Sequence, residues 1–89
     1  MKGQEEVKKI ADTTINLLYL KIALMVEKGA TKEEARSTLI KGTQYSTWRH
    51  FRETLTRMQN TGNVNYKTLH TIADIVGLTV GQLMKKAGV

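Results

Sequence analysis

Gln44, Tyr45, Ser46, Arg49 and His50 bring an amide, a phenol, a hydroxyl, a guanidinium and an imidazole into one short stretch of the chain. These are groups that hydrogen-bond the base edges and phosphates of nucleic acid. They interleave with Trp48, Phe51, Leu55 and Met58, whose three- and four-residue spacing is that of one helix face. The spacing predicts a helix anchored through its apolar residues, with the polar set facing elsewhere. Trp48 and Phe51 read as core because they continue to Leu55, rather than as platforms for stacked bases. Tyr45 is open between contacting a ligand and covering the turn.

Charge is distributed in the same direction. The 89 residues carry a formal net charge of +6, and the stretch from Arg36 to Lys67 holds six lysines and arginines against one acid, Glu53. The first 28 residues are nearly balanced, with five basic and four acidic groups. A local basic excess favours a polyanionic partner. Catalytic chemistry has little to work with: there is no cysteine, no glycine-rich phosphate loop, and the acids are scattered. His50 and His70 show no metal-ligand pattern. The expectation is therefore no enzyme, no metal or other cofactor, and no small-molecule substrate.

A long first helix is predicted over residues 4–28, with Val7, Ile10, Ala11, Thr14, Leu17, Leu18, Ile22 and Met25 on one stripe and Gly29 as its stop. Between Ile15 and Val26 the apolar residues cover almost the whole circumference. This surplus is either wrapped by other helices or buried against a second copy, with Leu17, Leu20 and Leu24 as the dimer surface. The run is interrupted by Asn16 and Lys21 and is shorter than the roughly 20 residues a membrane span needs. With no signal-peptide pattern at the amino terminus, a cytoplasmic protein is expected.

Two more helices are expected over residues 31–60. Thr31 and Glu34 have the spacing of a capping box, opening a helix at Lys32 that buries Ala35, Leu39 and Ile40 and ends near Lys41 and Gly42. The next helix is expected to start at Tyr45 or Ser46 and to run to Gln59, stopped by the loop signal from Asn60 to Asn63. A helix pair follows over 64–88. Asn63 or Asn65 caps the first of these, Tyr66 to Val76, with Leu69, Ile72, Ala73 and Val76 inward; Thr79 caps the second, Val80 to Ala87, with Val80, Leu83 and Met84 inward. No segment alternates like a strand. The fold class read from the sequence is all-α, one compact five-helix domain spanning 1–89.

These residues carry a family resemblance. Thr31 to Ala35, a glycine turn and then Tyr45 to Phe51 resemble the helix-turn-helix of the phage lambda repressor and Cro type, also called the xenobiotic-response-element type. Leu69 to Met84 resembles that family's fourth and fifth helices, where an apolar helix ends in a glycine (Gly77) and an apolar residue and hydroxyl cap (Leu78, Thr79) open the last helix. Departures are Lys32, where a glutamine is usual, a longer turn between Leu39 and Ser46, a longer third helix and loop, and the added amino-terminal helix. The resemblance implies a sequence-specific regulator of double-stranded DNA, of the kind phages and mobile elements use as repressors, acting as a homodimer on an operator. It assigns Gln44, Tyr45, Ser46, Arg49 and His50 to base edges, with Gln44 suited to adenine and Arg49 to guanine. Lys32, Lys41, Arg52, Arg57 and Lys67 are assigned to phosphates. A rival expectation is a protein-binding module on the same fold, using its apolar first helix to engage another protein.

Overall fold

Helix starts in this chain are set mostly by single side chains. In the computed structural model, which describes residues 3–89, the helices are α1 (Gln4–Glu27), α2 (Lys32–Ile40), α3 (Trp48–Thr61), α4 (Tyr66–Ile75) and α5 (Val80–Ala87). Thr31, Thr47, Asn65 and Thr79 each accept the backbone N–H three residues on, which satisfies a donor that the helix itself leaves free. Thr31 with Glu34 and Thr79 with Gln82 complete capping boxes. The Thr31 backbone N–H donates to the Glu34 carboxylate at 2.8 Å. That bond, with the Thr31 hydroxyl beside it, holds the Glu34 carboxyl below the usual carboxylate range.

Among the described residues all regular structure is helical, and five helices surround one core. α1 runs through the middle and packs against α2, α3 and α5. Its buried stripe is Val7, Ile10, Ala11, Thr14, Leu18 and Ile22, the period anticipated from sequence. Thr14 is the one polar member, and its hydroxyl donates to the Ile10 carbonyl at 2.7 Å, so no unsatisfied hydroxyl enters the core. α3 supplies Phe51, Leu55 and Met58; α4 supplies Leu69, Ile72, Ala73 and Ile75; Leu83 comes from α5. Among the described residues no helix is long and apolar enough to cross a membrane.

The start of α3 and the place of Leu17 are corrected, and two open alternatives are narrowed. α3 starts at Trp48 rather than at Tyr45 or Ser46, because Thr47 supplies the cap, and it continues through Asn60 to Thr61, where Gly62 adopts the left-handed conformation. Asn65, not Asn63, caps α4. The apolar surplus of α1 is not wrapped by the other helices: Leu20 is 62% and Leu24 56% exposed, beside exposed Tyr19 and Val26. Leu17 departs from that set, since it is half-buried and packs on the core.

Gly62 has two reasons to be glycine. Its φ is +69°, and a Cβ there would overlap Gln4 Cβ while lying 2.6 Å from Gln4 Cα and 2.8 Å from the Gln4 carbonyl oxygen. The end of α3 thus meets the first turn of α1 backbone to backbone. Gly42 has a similar φ of +81° but open space around it. Gly42→Ala should cost only the left-handed penalty of roughly 1–2 kcal/mol. Gly62→Ala should cost clearly more, above about 2 kcal/mol, because α1 must also shift. Urea denaturation of both variants checks this; equal losses would mean that α1 gives way freely at the contact.

Candidate nucleic-acid interface

The seven residues between α2 and α3 form an ordered turn held by Thr43. Its hydroxyl donates to the Ile40 carbonyl at 2.6 Å and accepts the Tyr45 N–H at 3.2 Å, while Gly42 turns the chain. This directs Tyr45 inward. The Tyr45 ring is only 6% exposed and lies 5.1 Å, centroid to centroid, from Phe51. Burial overturns its assignment as a base reader: a ring held in the core cannot reach a groove, and of the two roles open to it the turn-covering one holds. It also supports a neighbour, since the His50 ring meets it edge-on at 5.1 Å.

Gln44, Ser46, Arg49 and His50 are exposed. Gln44 and Ser46 stand on the turn rather than on the helix. The Gln44 side-chain carbonyl lies 3.2 Å from the Thr71 hydroxyl on α4, which is shared with the Lys67 carbonyl at the same distance. The amide oxygen has a second lone pair, so this bond orients Gln44 without exhausting it. It also brings the turn of α4 that follows Lys67 beside the approach to α3. Arg49 is 90% exposed and pairs with Glu53 at 3.4 Å. An exposed i,i+4 pair is worth little and is readily exchanged for another anion.

The cations assigned to phosphate separate into two groups. Lys41, Arg57 and Lys67 are exposed, at the end of α2, on α3 and in the first turn of α4. Arg52 is half-buried and one of its guanidinium nitrogens is sheltered, which sets it apart from these three. Exposed Lys32 shares the recess that Arg52 lines against α1. Sequence reasoning counted Arg36 only within the basic stretch, whereas its guanidinium sits 6.0 Å from the Trp48 ring centroid. It also passed over Tyr66, which stands exposed on α4 against His70, with hydroxyl and imidazole 3.2 Å apart. Their i,i+4 spacing was the available signal.

Helix polarity sharpens the electrostatics. α1 and α2 carry two acids each in their first turns, which complement the positive end of the helix dipole. α3 and α4 carry none there, and Arg49 and Lys67 stand in those turns instead. The positive ends of α3 and α4, like that of α5, have no acid in the first turn. Among the described residues no group of three or more His, Cys, Asp or Glu side chains could hold a metal ion.

Tyr45→Ala should destabilise the fold by about 3 kcal/mol, as expected for removing a buried aromatic ring. Gln44→Ala should cost no more than about 1 kcal/mol. Denaturant melts of the two variants test the division between them; equal small losses would return Tyr45 to the surface.

Comparison with models of protein families, with curated proteins and with solved structures finds no match for this chain.

Proposed function

We propose that this chain is a sequence-specific regulator of double-stranded DNA, reading bases with the turn before α3 and the first turn of α3. The observation that carries this reading is the joint exposure of Gln44, Ser46, Arg49 and His50 at a helix end that lacks acids. Buried Tyr45 supports the turn from beneath, so the polar set is presented by a packed element. The resemblance of residues 31–84 to the lambda repressor and Cro type supports a mode of docking. It rests on the residues of the chain alone.

In that mode the amino end of α3 enters the major groove and α2 lies across the backbone. Arg49 leaves Glu53 for the two acceptors of a guanine, and the Gln44 amide meets an adenine. Lys41, Arg57, Lys67 and exposed Lys32 neutralise phosphates, adding affinity and salt sensitivity without reading sequence. Occupation of an operator then obstructs polymerase, as a phage or mobile-element repressor does.

The exposed stripe of α1 favours a second role in protein contact. Tyr19, Leu20, Leu24 and Val26 lie on a helix whose opposite side is already buried. A second copy packed there would give the two-fold symmetry that palindromic operators match. A foreign protein on the same stripe is the rival reading.

Binding to duplex DNA should weaken linearly on a log-log plot against salt, with a slope of about −0.9 per phosphate neutralised. Arg49→Ala should cost roughly 1–3 kcal/mol on a selected operator and far less on random duplex. Absence of binding to any duplex at low salt and micromolar protein sinks the reading; equal losses on both duplexes move Arg49 to a phosphate.

If α1 is the dimer seam, the native chain sediments as a dimer and Leu20→Lys as a folded monomer. A native chain that stays monomeric at high concentration disposes of the homodimer.

A further inference from the structure

The recess between α1, α2 and α3 has a composition that neither the DNA surface nor the core explains. Ile15, Leu18 and Ile22 of α1 form its apolar wall, and Tyr19 and Trp48 stand at its sides. Lys32, Arg36 and Arg52 form the rest, and no acid among the described residues lines it. Its volume is about 140 Å³.

Two of these cations carry buried nitrogens without a hydrogen-bond acceptor among the described residues: Nε of Arg36 and Nη1 of Arg52. A guanidinium remains protonated at any ordinary pH, so such a donor cannot be neutralised by losing its proton. Both atoms are closed to solvent, so an acceptor in the recess would meet the other N–H groups of the same two guanidiniums. Arg36 is held over Trp48 at 6.0 Å, which orders it beside the recess.

We infer that this recess binds a small carboxylate with a flat or compact apolar body, its carboxylate on Arg36 and Arg52 and its body against Ile15, Leu18 and Ile22. Volume sets the size: a cavity of about 150 Å³ is known to admit benzene, and the recess is close to that. Chemistry sets the class. A phosphate would turn oxygens onto the α1 wall and leave them unpaired, whereas a carboxylate presents two oxygens on one side only. The inference does not depend on DNA binding, and it adds a small-molecule ligand to a chain whose sequence suggested none.

Trp48 is the only tryptophan of the chain, so its fluorescence and its indole N–H resonance report on this recess. The probe is benzoate, set against benzamide, acetate and inorganic phosphate. Benzoate should give a saturable change with a dissociation constant of roughly 1 mM or tighter. Benzamide matches its shape without charge and acetate its charge without a ring; each should bind at least roughly tenfold more weakly, benzamide through the loss of charge-assisted hydrogen bonding and acetate through the loss of apolar burial. Arg36→Gln and Arg52→Gln should each weaken benzoate by a similar factor. If a variant fails to fold, the benzoate and benzamide comparison on the native chain still decides. No saturable response to benzoate, or equal binding of benzamide, overturns the proposal. Tighter binding of phosphate than of benzoate also overturns it and reassigns the recess to a phosphate backbone.

Discussion

The approach of α1 to α3 is the constraint on which the rest of the molecule depends. At one end Gly62 lets the backbone of α3 meet Gln4 at a distance that no side chain could tolerate. α1 and α3 pack together, and Ala11 and internally bonded Thr14 on the one and Phe51, Leu55 and Met58 on the other are almost wholly buried. Burying a side chain of that size contributes roughly 1.5–3 kcal/mol relative to leaving it exposed, so three on one helix anchor it firmly. Once α3 is fixed in this way, its first turn, the preceding loop and the recess beside α2 have little freedom.

Local chemistry was legible in the sequence wherever a single residue decides the backbone. Thr31 and Thr79 announce capping boxes, the stripe from Val7 to Ile22 announces a buried helix face, and Leu69 with Ile72 and Ala73 announces another. Adjacent cap candidates were harder. Ser46 and Thr47 both carry a hydroxyl, and the choice of Thr47 follows from placing Phe51, Leu55 and Met58 inward together with Tyr45. Tyr45 itself lies outside any helix, where periodicity gives no information about facing; the Thr43 hydroxyl bonds turn it in.

What could not be read from spacing arises between elements distant in sequence. Arg36 and Arg52 look like ordinary surface residues of amphipathic helices, and each would be one if α1 were shorter. The second half of α1 runs past them and supplies Ile15, Leu18 and Ile22 as a wall, which shelters their nitrogens. The same extension carries Leu20 and Leu24 out into solvent. One helix, longer than the core beneath it requires, thus creates both the recess and the exposed stripe.

The positions of charge support the proposal that these surfaces face anions. A cation in the first turn of a helix opposes the dipole by roughly 0.3–1 kcal/mol at an exposed site, and α3 bears Arg49 there with no acid in that turn. α1 places Glu5 and Glu6 in its first turn, and α2 places Glu33 and Glu34 beside Lys32, so acids predominate at both of those ends. α5 also lacks acids in its first turn but places Lys85 and Lys86 in its last, where they suit the dipole. α3 has no basic residue in its last turn to offset Arg49. Its positive charge therefore lies where folding alone would not favour it, both at its exposed end and, through Arg52, at its sheltered side. A bound anion at either place converts that local cost into affinity.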